Sequence, residues 1–180
     1  MMNKALEVIE AKYLFGLPTD QIEVVIHPQS VIHSMVQYRD GSVLAQLGTP
    51  DMRGPIAYGL SWPQRIESGA SRLDFKSLAA LSFESFDDPV HQMRFPGLKL
   101  AWAAMRAKPG TTTVLNAANE VAVEAFLNRQ IRFDQIHHVN DQTLQAARFD
   151  SPRHLEDLLA LDAQSRQLAQ LQAQKMQISR

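Results

Sequence analysis

IEVVIHPQSVIHSMVQYRDGSVLAQLG, residues 22–48, holds the reading that decides the fold. Two runs rich in apolar residues, 31–39 and 42–47, flank Asp40-Gly41, a pair suited to a two-residue hairpin turn of type I′. Such a turn sets a register that places Tyr38 opposite Val43, Val36 opposite Ala45 and Ser34 opposite Leu47, on one apolar face. The other face carries His33, Met35 and Gln37 opposite Gly48, Gln46 and Leu44. His33 therefore stands off the apolar face. Upstream, residues 22–26 form a short β-branched run that reads as a buried strand, joined to the hairpin by His27-Pro28-Gln29-Ser30.

Ahead of this stretch, Met2, Leu6, Ile9 and Tyr13 recur at spacings of four, three and four, the stripe of a helix that Gly16 and Pro18 end. Behind it, Gly48-Thr49-Pro50 turns the chain, and Asp51 can cap a short helix interrupted by Pro55 and Gly59. Residues 62–96, with Pro63, Gly69, Pro89 and Pro96, sustain no period and read as a connector. From residue 97 onward the period is helical. Leu98, Ala101, Trp102 and Met105 mark one helix, and Leu115, Ala118, Ala122 and Phe126 a second, with Thr111–Thr113 as candidate caps. A third covers about 133–147, and a fourth begins at Ser151-Pro152 with Leu158, Leu161, Leu168 and Leu171. The expected fold class is thus α+β. Residues 1–61 form part of a mixed α/β domain, 62–96 a connector, and 97–180 a four-helix bundle.

Composition narrows the function classes. Of the 180 residues, 45% are hydrophobic and 21% charged, as in an ordinary globular protein. A formal net charge of −1 gives no pull towards nucleic acid or an anionic membrane. No apolar run spans a bilayer and no signal-peptide pattern opens the chain, so the cytoplasm is the expected location. With no cysteine there is no disulfide, thiolate nucleophile or cysteine-ligated metal. Neither a G-x-G-x-x-G motif after a strand, nor a Walker loop, nor H-E-x-x-H occurs.

Chemistry-bearing residues are few. On a helix Asn3, Lys4 and Glu7 share one patch, where an amide, an ammonium and a carboxylate can hold a phosphorylated or polyhydroxylated substrate. The carboxylate also suits a hard divalent cation. On spacing alone, a solvated Lys4–Glu7 ion pair explains the patch more simply. His33 suits a proton carrier or a donor at a cleft edge, although a lone strand histidine is more often structural. His27 reads as a strand-end residue, and Ser30 as a cap or anion contact. Adjacent His137 and His138 diverge on a helix and do not chelate, while Asn116, Asn119 and Glu120 read as a bundle-stabilising polar cluster.

Read as strings, residues 1–16, 22–48, 50–65 (PDMRGPIAYGLSWPQR) and 115–133 resemble the 1-deoxy-D-xylulose 5-phosphate reductoisomerase family, as does LDAQSR late in the chain. HPQSVIHSMV and NAANE are the most specific of these motifs, and the resemblance runs nearly the full length. It implies conversion of 1-deoxy-D-xylulose 5-phosphate to 2-C-methyl-D-erythritol 4-phosphate on the non-mevalonate route to isoprenoids. The implied cofactors are NADPH and a divalent metal (magnesium, manganese or cobalt), and the implied partners are the phosphosugar and a second copy in a homodimer.

In the family's N-K-x-L-E motif, asparagine and lysine bind substrate, and glutamate ligates metal and also meets substrate. These fall on Asn3, Lys4 and Glu7, with Ala5 where glycine is usual. Ser30 and His33 match substrate-site residues, and Pro50 and Met52 match a hydrophobic wall at the nicotinamide. The resemblance places the NADPH domain and two of three metal ligands ahead of this motif, so the chain alone is expected to be inactive. The alternative is a non-catalytic interaction module, or a phosphosugar-binding fragment, that keeps the fold.

Overall fold

The computed structural model describes residues 2–76, 78 and 80–177. The chain divides into two compact units, Met1–Glu23 with Pro89–Arg180, and Val24–Asp88. These lines differ from the sequence grouping at 61 and 97, because the first helix packs with the carboxy-terminal helices.

In the first unit α1 (Met2–Phe15) is followed by a 3-10 turn, Thr19–Gln21, and, after the residues of the second unit, by α3 (Pro89–Arg94), α4 (Gly97–Arg106), α5 (Thr111–Leu127), α6 (Gln135–Ala146) and α7 (Leu155–Lys175). The four helices expected beyond residue 97 are therefore present, and α1 lies on α4 and α5. Long amphipathic helices in this unit bury a real core. Leu98 and Leu115 have no exposed surface, and each contributes about 2 kcal/mol by leaving water. Ala118, Ala122, Ala125, Ile131, Val139, Ala169 and Ala173 continue that core through α5, α6 and α7.

The buried faces differ in phase from the expected stripes. On α1 the buried residues are Ala5, Val8 and Ile9, whereas Tyr13 is largely exposed. On α7 they are Leu161, Ser165, Ala169, Gln172 and Ala173, while Leu171 faces solvent. On α7 small residues hold most of the interface. Alanines on α5 and α7 let the two backbones approach, so the alanine ridge packs and the leucines flank it. The start of α7 also moves, because Asp157 accepts from the amides of Arg153 and His154 and closes the first turn there.

Gly110, rather than the threonines, is the N-cap of α5, with φ 94°. A Cβ there would stand 2.9 Å from Leu161 Cδ2 and from Pro152 Cδ, and 3.0 Å from Phe149 Cε2. Gly110→Ala should therefore destabilise the bundle by roughly 2–3 kcal/mol, combining backbone strain with overpacking. Denaturant unfolding of the bundle tests this, and an unchanged midpoint would contradict it.

Polar groups inside the bundle are mostly paired. Asn140 Nδ2 donates to Asn119 Oδ1 at 3.3 Å, while Arg166 on α7 bridges Glu120 and Asp162, each at 2.6 Å. Asn116 donates to Glu120, so the polar cluster of α5 has the hydrogen-bonding role its composition implies. His137 is less well served: its Nδ1 is buried with no partner. Burial first, and then neighbouring His138, hold the His137 imidazole below its ordinary pKa, with Asp141 opposing. Below about pH 6.5 the unfolded chain binds a proton that the folded chain refuses. Stability should hence be flat above that value and fall as pH drops towards the lowered folded pKa. His137→Gln should flatten this part of the Tm–pH curve; parallel curves for native and variant would contradict it.

The second unit holds β1 (Val25–Ile26), β2 (Ile32–Gln37), β3 (Val43–Leu47), α2 (Arg53–Ser61) and β4 (Glu84–Ser85). β1 pairs antiparallel with β4 and β2 with β3. Residues 22–26 are thus not a buried strand. Only two of them pair, and Val25 is nearly half exposed. The stretch 62–96 supplies their partner, held in place by side chains of residues 27–29 and invisible to any periodicity. Pro55 and Gly59 do not interrupt α2. Pro55 lies in its first turn, where the missing amide would have no helical acceptor in any case. Met52, not Asp51, is the N-cap of α2 and makes no side-chain capping bond; Asp51 stands one residue earlier and its Oδ1 accepts from the Arg53 amide at 2.9 Å.

The hairpin forms, but one residue out of the expected register. Gln37 faces Val43, Val36 faces Leu44, Met35 faces Ala45 and Ser34 faces Gln46. A type I′ turn needs positive φ at both central residues, and here Gly41 adopts it (85°) while Asp40 does not. Asp40 instead accepts from the Ser42 amide and hydroxyl, and Tyr38 N donates to Ser42 O at 2.8 Å. The result is a three-residue loop, 39–41. The ladder breaks again between Ile32 and Ser34, so His33 is the extra residue of a bulge.

Val31 is the one large apolar side chain buried in this unit among the described residues. Val36, Tyr38, Val43, Leu44, Met52, Ile56, Leu60 and Trp62 are all at least half exposed.

Candidate functional site

α1 brings three of the expected residues together. Asn3 Nδ2 donates to Glu7 Oε1 at 2.8 Å, and Lys4 Nζ donates to Glu7 Oε2 at 2.7 Å. Both carboxylate oxygens are therefore engaged, one by an amide and one by a cation. The helix explains the spacing, since residues three and four apart share a face, and buried Ala5, Val8 and Ile9 fix which face meets water. Lys4 and Glu7 keep 60% and 44% of their side-chain surface exposed, so the pair is accessible and adds little stability by itself.

Glu7 is a hard oxygen donor of the kind a divalent cation takes, but it stands alone. Among the described residues no three His, Asp or Glu side chains gather to hold a metal. A cation at Glu7 would need oxygen or nitrogen ligands beyond the acidic and histidine side chains described around it.

Ser30 and His33 meet in the second unit. His33 Nε2 lies 3.1 Å from the Ser30 carbonyl oxygen and Nδ1 lies 3.1 Å from Gln46 Oε1. A carbonyl only accepts, so Nε2 carries a proton. The bulge at residue 33 aims the ring back along the turn and leaves it at the surface. Ser30 has φ 51°, a left-handed conformation that a serine seldom holds.

Pro50 and Met52 lie between β3 and α2, and Met52 is 69% exposed. Neither of two clefts of about 260 Å3 on the helical unit includes any of these residues. One is lined by Leu161, Ser165 and Leu168 and the other by Glu124, Gln130 and Gln174. The candidate residues occupy open surface instead.

Two residues emerge beside Ser30: His27, read from the sequence only as a strand-end residue, and Gln29, which spacing did not single out. His27 Nδ1 lies 2.8 Å from the Ser82 carbonyl oxygen, and Gln29 Nε2 donates to Ser82 Oγ at 2.8 Å. Their partner is more than 50 positions away, so no local pattern could have paired them.

Comparison with known proteins agrees with this architecture. A family profile describing the DXP reductoisomerase C-terminal domain matches residues 47–168. The 1-deoxy-D-xylulose 5-phosphate reductoisomerase of Ralstonia pickettii is 57% identical over 170 residues, covering 94% of this chain and 42% of that protein. The solved structure of the reductoisomerase from Zymomonas mobilis in complex with NADPH superposes with a TM-score of 0.86 at 46% identity, over 96% of this chain and 45% of that one. A reductoisomerase solved with NADPH, fosmidomycin and magnesium gives 0.85 at 46% identity, over 96% and 44%. No helix among the described residues is long and apolar enough to cross a membrane. The chain spans less than half the length of these relatives, and it belongs to the 1-deoxy-D-xylulose 5-phosphate reductoisomerase family.

Proposed function

We propose that this chain is the substrate- and metal-contacting end of an NADPH-dependent reductoisomerase that converts 1-deoxy-D-xylulose 5-phosphate to 2-C-methyl-D-erythritol 4-phosphate. The observation that carries this reading is the convergence of Asn3 and Lys4 on Glu7 at one exposed helix face, in a chain of this family. Lys4 offers a point charge and Asn3 an amide to a phosphosugar. Glu7 supplies one oxygen ligand to a divalent cation, such as the magnesium in solved relatives. Bound there, the cation would act as a Lewis acid on substrate oxygens. By the family resemblance, His33 with its ring and Ser30 with its hydroxyl are assigned to substrate binding, and Pro50 and Met52 to an apolar wall for the nicotinamide.

The apolar surface of the second unit supports the same account. A unit that, among its described residues, buries only Val31 of its large apolar side chains needs a cover, and relatives more than twice as long have polypeptide to provide it. In the whole protein we assign residues 1–61 to the close of the catalytic domain and 97–180 to a terminal bundle domain, in a cytoplasmic homodimer.

The test is NADPH oxidation by the full-length protein that contains this sequence, with 1-deoxy-D-xylulose 5-phosphate as substrate. Turnover that needs both sugar and divalent metal is expected. Metal-independent turnover, or none with this sugar, would contradict the reading. Lys4→Ala should act mainly through binding, raising KM about tenfold or more with a smaller change in kcat, and excess metal should not rescue it. Full recovery on adding metal would contradict the role given to Lys4.

A further inference from the structure

We propose that His27 and Gln29 are positioning residues, a two-pronged clamp on Ser82 that sets where Ser30 and His33 stand; the inference rests on the substrate role proposed for that pair. Ser82 has three backbone and side-chain polar atoms, and these two residues take all of them. His27 Nδ1 donates to its carbonyl oxygen at 2.8 Å, Gln29 Nε2 donates to Oγ at 2.8 Å, and its amide donates to Gln29 Oε1 at 3.3 Å. Gln29 Nε2 also reaches the Ala80 carbonyl oxygen at 3.4 Å. Because a carbonyl can only accept, the His27 proton sits on Nδ1. Its Nε2 is buried without a partner, so the ring is oriented by one bond and by stacking on Phe83 at 5.0 Å.

The clamp residues are the first and third of the turn formed by residues 27–30, which Ser30 N closes onto His27 O at 3.1 Å. Ser30 leaves that turn at φ 51°, and a strained serine persists only where its surroundings leave no alternative. On one side it is fixed by the clamped turn. On the other, His33 Nε2 donates to its carbonyl oxygen. The chain of placement therefore runs from Ser82 through His27 and Gln29 to Ser30 and then His33. It is a positional device: neither clamp residue needs to touch substrate.

Two substitutions at His27 separate the clamp from simple packing. His27→Asn keeps a donor near the Nδ1 position and loses the ring; His27→Phe keeps the ring on Phe83 and loses the donor. In the full-length enzyme, the Phe variant should raise KM for the phosphosugar about tenfold, as expected for a lost geometry-setting hydrogen bond, with kcat changed less. The Asn variant should stay within about twofold of native. In substrate-free protein, hydrogen exchange at the Ser30 amide should quicken in the Phe variant alone. A native Phe variant beside an impaired Asn variant would overturn the clamp in favour of ring packing. Native behaviour from both would also overturn it. If both are impaired, Gln29→Ala at an exposed position decides: a raised KM supports the clamp, and an unchanged one overturns it. A quickened Ser30 amide with KM unmoved would overturn the inference through the substrate assignment of Ser30 and His33, leaving the clamp as structure only.

Discussion

Glu7→Gln in the full-length enzyme should lower turnover by a hundredfold or more at ordinary metal concentrations, with partial recovery as the divalent metal is raised. Glutamine keeps the shape of the side chain and its bond from Asn3, but removes the negative charge that Lys4 now meets at 2.7 Å. Substitutions of residues that merely orient metal ligands cost about 10–100-fold, so loss of a direct ligand's charge should cost at least that. The competing explanation predicts a different outcome. An exposed Lys4–Glu7 pair of purely structural value contributes about 0.5 kcal/mol and has no bearing on turnover. Steady-state kinetics with metal titrated separates the two, and near-native turnover at low metal would remove Glu7 from the site.

A second large effect concerns the hairpin. In this chain by itself, amides of β2 and β3 should exchange with solvent at least about a hundredfold faster than those in the middle of α5. A two-stranded ribbon is marginal in water, and among the described residues its unit buries only Val31 of the large apolar side chains. α5 packs against α4, α6 and α7, with Val114, Leu115, Ala117, Ala118 and Ala122 wholly or almost wholly buried. In the full-length protein the hairpin amides should become strongly protected, because Val36, Tyr38, Val43 and Leu44 then have a cover. Hairpin protection equal to that of α5 in this chain alone would refute the idea that the cover comes from elsewhere. Protection missing from the full-length protein would do the same.

How much of this was legible beforehand depends on the range of the interactions. The bundle could be read because its helices run 10 to 21 residues, long enough for a 3.6-residue period to repeat. Its packing phase could not. On α7 the leucines dominate any hydrophobicity count, yet Ala169 and Ala173 occupy the interface because helix backbones approach closest over small side chains. Asp40-Gly41 announced a hairpin correctly, but the loop length turned on whether Asp40 would adopt positive φ. Its carboxylate found the Ser42 amide and hydroxyl instead, and the register slipped by one. For the site, i and i+4 spacing brought Asn3 and Glu7 together on paper as in the structure, since a helix converts spacing directly into distance. The bonds from His27 and Gln29 to Ser82 are long-range, so nothing local announced them.

Whether Glu7 ligates metal can be read from metal binding itself, without relying on turnover. Manganese can be titrated into full-length native protein and into the Glu7→Gln variant, with the phosphosugar present and free ion followed by its paramagnetic signal. One tight site is expected in the native enzyme, weakened on the order of a hundredfold in the variant. Equal affinity in the two proteins would contradict it.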